Sequence, residues 1–262
     1  MLRSLKDLES YAIEATDGPI GQVKDFYFDD EAWLVRYLVV ETGSWLSSRK
    51  VLIAPRAIRD PSWHDRLLSA FISKAQVKNS PDINTDKPVS RQHETEYLGY
   101  YGYPVYWGSA ASHPGHDVDA AEQSREEAAF ARADRDRHRD DDPHLRSFNE
   151  VIGYRVHATD GEIGQVEGLL VEEGTWVIRY LVVNTGHWWA GRKVLLTPEW
   201  ITHLRWTDQS VTVDVSRTAI QNAPPYDSMA GLNRQREIEF YESYDREGYW
   251  AAAAVIESEI ST

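Results

Sequence analysis

Self-similarity constrains this chain more than any other feature. Shifting the sequence by 143 residues lays Arg3–Trp107 on Arg146–Trp250 without a gap, and 38 of the 105 paired positions are identical. The densest part sets Thr16–Ile58 on Thr159–Ile201, with 22 identities in 43 positions. TDGPIGQV meets TDGEIGQV, RYLVVETGSW meets RYLVVNTGHW, and RKVLIAP meets RKVLLTP. An ungapped match of this length implies duplication of a whole folding unit. The period is too long for a solenoid repeat, so two domains are expected, each around its own core.

The expected division is a first domain over 1–108, a linker over 109–145, a second domain over 146–250 and a tail over 251–262. The linker carries the run EEAAFARADRDRHRDDDPH, which has no apolar stripe and is expected to be a partly helical or disordered charged tether. The tail, AAAAVIESEIST, either extends a helix or frays. The chain has 262 residues, no Cys and a formal net charge of −14. The lack of Cys removes thiolate metal sites and Cys nucleophiles. The negative charge opposes non-specific binding to nucleic acid or anionic lipid. No stretch of the sequence reads as a membrane span, and MLRSLKDLES has no apolar segment of a secretory leader, so a soluble cytoplasmic protein is expected.

Within each unit, short strands alternate with turns. Asp17-Gly18 and Asp160-Gly161 are turn dipeptides. Strands are expected over Gly21–Phe28, Trp33–Val40, Lys50–Ala54 and Leu68–Ile72, and over Gly164–Val171, Trp176–Val183, Lys193–Thr197 and Val211–Val215. The last shows clean alternation, with Val211, Val213 and Val215 on one face. Ser90–Tyr101 and Asn233–Tyr244 are expected to be helices, with Ser90 and Asn233 as N-caps. Tyr97 and Tyr101, matched by Phe240 and Tyr244, make one apolar stripe on each. The fold class is therefore mainly β with α: two tandem small β-barrels, each followed by a helix and joined by the charged linker.

The strings TDG-x-IGQV, RYLVV, TG-x-W and RKVL with its Pro, with the closing SRQHE…YYGYPVYW, resemble the PRC-barrel family, named for the cytoplasmic barrel of the photosynthetic reaction-centre H subunit. A related barrel forms the C-terminal half of a ribosome maturation factor. The resemblance runs through both repeats. It implies an assembly or adaptor module that docks on protein subunits. Neither the N-terminal membrane helix of the H subunit nor the RNA-associated domain of the maturation factor is expected here.

The TG-x-W turns are the sharpest candidates for partner contact. Trp45 follows the first, with Arg49 and Lys50 closing the loop; Trp188 and Trp189 follow the second, closed by Arg192 and Lys193. Aromatic and Arg side chains at a loop tip have the composition of a contact hot spot. The alternative is that each Trp folds back over its own barrel. Gly18, Gly21, Gly43, Gly161, Gly164 and Gly186 are read as structural turn glycines, with Gly43 and Gly186 expected at positive φ. Arg36 and Arg179, inside apolar strands, are expected to pair with a carboxylate such as Glu14 or Asp17. Asp29-Asp30-Glu31 and Glu172-Glu173 lack the spacing of a Ca²⁺ loop and read as solvated turns. His113 and His116 could hold an adventitious metal only, so no metal and no cofactor are expected.

No nucleophile elbow, P-loop, dinucleotide fingerprint or HExxH is present. The expected function is a non-enzymatic adaptor that binds another protein or complex. The two units would pack as an intramolecular pseudo-dimer or hang as a tethered bivalent binder, and homo-oligomers are compatible with either. The alternatives are an accessory protein of a photosynthetic or other membrane redox complex, peripherally attached, and a small-molecule binder with its groove between the barrels.

Overall fold

The computed structural model describes residues 1–81, 91–106, 145–186, 191–227 and 232–251. The expected linker helix, the His113/His116 pair, the Ser90 cap, Trp188, Trp189 and the tail beyond residue 251 lie outside these residues. The fold is mainly β with short helices, organised as two seven-stranded sheets.

The first repeat contributes β1 (Leu2–Ser4), α1 (Leu5–Leu8), β2 (Ala12–Ala15), β3 (Gly18–Asp29), β4 (Leu34–Glu41), β5 (Lys50–Ile53), β6 (Ile58–Ser62), β7 (Leu67–Ala70), α2 (Lys74–Asn79) and α3 (Arg91–Tyr101). The second contributes β8 (Leu145–Ser147), α4 (Phe148–Val151), β9 (Arg155–Ala158), β10 (Gly161–Glu172), β11 (Ile178–Asn184), β12 (Lys193–Leu196), β13 (Ile201–Arg205), β14 (Ser210–Val213), α5 (Arg217–Asn222) and α6 (Arg234–Ser243). One sheet runs β5-β4-β3-β2-β7-β6 and the other β12-β11-β10-β9-β14-β13. The end strands of each path are not paired with each other among the described residues.

The seventh strand of each sheet comes from the other repeat. β8 pairs antiparallel with β3, Tyr27 opposite Ser147 and Asp29 opposite Leu145. β1 pairs with β10 in the equivalent register, Ser4 opposite Leu170 and Leu2 opposite Glu172. Strand length explains why. β3 has 12 residues and β2 only 4, and β2 covers β3 only from Gly18 to Gln22. The far half, through Tyr27, Phe28 and Asp29, would present an unpaired apolar edge. The strand from the opposite repeat fills it.

Side chains fix the exchange. Arg3 pairs with Glu173 and stacks over Trp63, 4.7 Å from the ring centroid. Its counterpart Arg146 pairs with Asp30 at 3.1 Å and lies 4.1 Å from the Trp206 centroid. At the centre, Leu34 bridges Val177, its own repeat equivalent. Val35 N donates to Trp176 O at 3.0 Å and Ile178 N to Trp33 O at 2.7 Å. A contact between equivalent residues lies on a two-fold axis, so the two repeats meet as the halves of a symmetric dimer would.

The expected pair of separate cores is corrected by this arrangement. Leu5, Leu8, Phe26 and Phe28 belong to one contiguous buried cluster with Phe148, Val151, Leu169 and Val171. Phe26 meets Phe148 edge-on, 6.4 Å between centroids. The cause is the exchange itself: α1 and α4 follow β1 and β8 directly, so their apolar residues are carried across the seam. A tethered pair of independent barrels is not what is seen.

The unbroken apolar runs RYLVV are strands buried on both faces. Leu38 and Val40 face the shared core. Tyr37 and Val39 lie in a second cluster with Leu52, Tyr97 and Leu98, under α3. In the second repeat Tyr180 meets Phe240 of α6 at 5.4 Å. Asn233 caps α6 as expected, accepting from Arg236 N at 3.0 Å. Strands β1, β2, β6 and their counterparts, and helices α1, α2, α4 and α5, go beyond the elements expected from the sequence. Each is short, and none has enough turns or alternations to show a period.

Because the interface is strand pairing and common core, the segment joining the repeats is not needed to hold them together. With a protease site engineered into residues 107–144, cleavage is expected to leave both fragments co-eluting at the intact size, and to separate only in denaturant. Elution as two independent small proteins would contradict the exchange.

Candidate functional site

The TDG motif does mechanical work. Asp17 accepts from Lys74 N at 2.7 Å, and Asp160 accepts from Arg217 N at 2.8 Å. Each Asp satisfies the first free N–H of the short helix α2 or α5, whose Ser caps, Ser73 and Ser216, take the N–H of the third helical residue. Gly18 and Gly161 follow at φ +127° and +145°, a region that L side chains avoid. Gly21 and Gly164 are required for a different reason. A Cβ at Gly21 would fall 1.9 Å from Glu41 O, and one at Gly164 would fall 2.0 Å from Asn184 O. The strands cross too closely there for any side chain.

The TG turns are closed by their threonines. Thr42 Oγ1 donates to Arg49 O at 2.8 Å and Thr185 Oγ1 to Arg192 O at 2.9 Å. Gly186 has φ +55°, as expected. Gly43 corrects the expectation: its φ is −6°, and the positive φ values fall on Ser47 and Ser48 instead. A single 3-10 turn, Ser44–Leu46, sits between, and it turns the chain so that Trp45 folds back. The Trp45 Nε1–H donates to Ile20 O at 2.6 Å, and the Lys74 ammonium lies 4.5 Å from its ring centroid.

Arg49 is likewise directed inward. Its guanidinium donates to Lys78 O, Ser80 O and Pro81 O at 3.1, 2.8 and 3.0 Å, a cation against the carboxyl end of α2. Lys193 pairs with Glu167 at 2.6 Å. Lys50 and Arg192 are exposed. Of the seven contact candidates, then, Trp45, Arg49 and Lys193 have the partners just named, Lys50 and Arg192 are exposed, Arg192 with a contact to the fold as well, and Trp188 and Trp189 lie outside the described residues.

Arg36 and Arg179 pair with neither Glu14 nor Asp17. Arg36 reaches Asp29 at 3.0 Å, and Arg179 reaches Glu172 at 2.6 Å, each seven residues back across its hairpin. The opposite strand brings that carboxylate alongside, which spacing along the chain does not reveal. Each guanidinium also stacks on a tyrosine: Arg36 lies 3.6 Å from the Tyr106 centroid, and Arg179 lies 4.0 Å from that of Tyr249.

These tyrosines lead to the residues that sequence reasoning missed. Glu94 on α3 is buried and accepts from Tyr37 Oη at 3.1 Å and from Tyr106 Oη. Its equivalent Glu237 accepts from Tyr180 Oη at 2.8 Å and Tyr249 Oη at 3.1 Å, and pairs with Arg234 at 3.2 Å. Burial, with Glu94 beside it, pushes the Tyr37 hydroxyl far above its ordinary range, so it stays a donor. Burial raises Tyr249 to about 12. A signal was present: Glu94 and Glu237 are identical in the aligned helices.

The Asp29 turn is more than a solvated loop. Burial works against its charge. The N–H of Ala32 at 3.0 Å, Arg36, and the N–H of Glu31 at 3.1 Å outweigh that cost and hold its carboxyl below the ordinary value. Glu172 is depressed in the same way by Arg179 and Thr175 against the cost of burial. Asp25 behaves oppositely. Burial raises it, although Ser147 Oγ donates to it at 2.6 Å. It ties β3 to the start of α4, and the equivalent position in the second repeat is Gly168.

Two clefts open along the seam at repeat-related positions. The first, about 720 Å³, is walled by Arg36, Arg56, Trp63, Tyr106 and Trp176. The second, about 500 Å³, has Arg179, Glu199 and Tyr249 at equivalent places. No grouping of three or more His, Asp or Glu able to hold a metal is found among the described residues. Among the same residues no helix is long and apolar enough to cross a membrane.

Residues 3–62, from β1 through β6, match the model of a protein family described as the PRC-barrel domain. Among curated proteins, none matches the chain.

Substituting Gly21 or Gly164 by Ala is expected to destabilise the protein by more than about 2 kcal/mol in chemical denaturation, because backbone must move. A loss under about 0.5 kcal/mol would mean the strands do not meet as described. The lowered carboxyls of Asp29 and Glu172 add stability that is present above the unfolded pKa of about 4 and is lost as pH falls through the folded value. The stability gap between wild type and an Arg36→Met/Arg179→Met variant should therefore be wide at neutral pH and shrink below pH of about 4, as read by denaturant midpoints.

Proposed function

We propose that the chain is a non-enzymatic adaptor. On this reading both repeats are PRC-type units, each sheet forms a barrel completed by the exchanged strand, and a cytoplasmic protein or complex is the partner. One observation carries the reading. Four ionisable pairs matched between the repeats, Arg3, Asp17, Arg36 and Glu94 with Arg146, Asp160, Arg179 and Glu237, are each held by partners within the fold. A catalytic acid or base needs a positioned group facing substrate. These groups face the scaffold. The PRC-barrel match over 3–62 supports the same conclusion.

The partner-facing candidates on this reading are the exposed Lys50 and Arg192, with Trp188 and Trp189 near Arg192 in sequence. The duplication gives the chain two such turns. That arrangement favours a partner with two matching sites, because the second contact forms without a further search.

Affinity capture from native cell extract tests this. A Lys50→Glu/Arg192→Glu/Trp188→Ala/Trp189→Ala variant should fold with an unchanged Tm and lose a partner that the wild type retains. Equal recovery of the same partner by both would discard the turns as the contact surface. Trp45 is left intact because its indole is part of the fold.

A further inference from the structure

The two seam clefts began as copies and now differ in charge. The fixed parts are common to both: an Arg stacked on a Tyr and paired with its hairpin carboxylate, Arg36–Tyr106–Asp29 in one and Arg179–Tyr249–Glu172 in the other. The acidic residue donated by the opposite repeat is neutralised in both, Glu173 by Arg3 and Asp30 by Arg146. The difference lies at the lip. Arg56 lines the first cleft, and its repeat equivalent Glu199 lines the second. Both are exposed. Arg56 rests over the Tyr103 ring at 5.1 Å, which leaves its guanidinium edge to hydrogen-bond. Glu31 also lines the second cleft, where the first has Gly174.

The first cleft adds apolar walls to this cation. Leu34, Leu98 and the rings of Trp63, Tyr106 and Trp176 line it, and its volume of about 720 Å³ lies in the range of small-molecule sites. Arg36 Nε is buried without a hydrogen-bond partner among the described residues. A planar apolar body fits the indole and phenol walls, and an anionic group fits Arg56 in a bidentate geometry.

We propose that the first seam cleft binds a small organic anion with an aromatic body, with Arg56 as the anion contact, and that the second cleft excludes such a ligand through Glu199. This site goes beyond the adaptor reading and does not depend on it. It would make ligand occupancy a property of the joint between the repeats.

The probe is 1-anilinonaphthalene-8-sulfonate, an aryl sulfonate whose fluorescence rises on binding, titrated into the folded full chain. N-phenyl-1-naphthylamine, its neutral analogue, is the control. Wild type is expected to bind one sulfonate saturably. Arg56→Glu should weaken that at least tenfold at unchanged Tm, and Glu199→Arg should raise the stoichiometry from one to two. No saturable binding to wild type would overturn the proposal. So would sulfonate affinity indifferent to Arg56→Glu, or a neutral analogue that binds equally well and responds equally to the substitution.

Discussion

A strand too long for its neighbour shapes this molecule. β3 and β10 each extend well past the short strand beside them, and an apolar edge left open in water invites pairing with anything extended. Here the opposite repeat supplies the missing strand, and in doing so delivers the helix that follows it. The sheets therefore cannot be completed separately, and the apolar residues of α1 and α4 are buried in a common interior. The two-fold arrangement at Leu34 and Val177 follows from both repeats solving the same problem with the same residues.

The outer face of each sheet is held by a different device. A buried carboxylate on the terminal helix gathers two tyrosine hydroxyls, one from the sheet and one from the closing segment. The second tyrosine then lies under the hairpin arginine. The chain of contacts Tyr37–Glu94–Tyr106–Arg36–Asp29 is repeated as Tyr180–Glu237–Tyr249–Arg179–Glu172. Buried polar groups are costly to leave unpaired, so chains of this kind favour the one arrangement that pairs most of their members. The copies differ in the core, where buried Ala57 is matched by buried Trp200, and in several polar positions. Asp25 stands where the second copy has Gly168, Lys24 and Glu41 pair where the second copy has Glu167 and Asn184, and Arg56 is the equivalent of Glu199.

Much of this was legible in the sequence. The offset repeat located both units, and apolar runs located the long strands, because a strand buried on two faces cannot be polar on either. The Asn233 cap and the stripe of Phe240 and Tyr244 gave the last helix. The exchange was not legible. Leu2–Ser4 and Leu145–Ser147 are three residues each, too short for any period, and Arg3-Ser4 is identical to Arg146-Ser147, so either strand suits either sheet. The contact candidates were legible as residue types and not as geometry. The Trp of a TG-x-W turn reads the same whether it points outward or, like Trp45, hydrogen-bonds to the strand beneath it. Glu94 was hidden by its charge, since an acidic residue on a helix is ordinarily solvated.

The pairing of Leu2–Ser4 with Leu170–Glu172 has a temporal side as well. On the ribosome the first strand emerges long before its docking edge exists, at a rate of roughly 5–20 residues per second. For that interval the first sheet lacks its seventh strand too, since Leu145–Ser147 is also still to come. Neither half can reach its final state ahead of the other, and closure over so great a sequence separation is slow. Maturation of the whole protein is thus gated by synthesis of its second half, and a truncated product would display the very edge that the finished molecule hides.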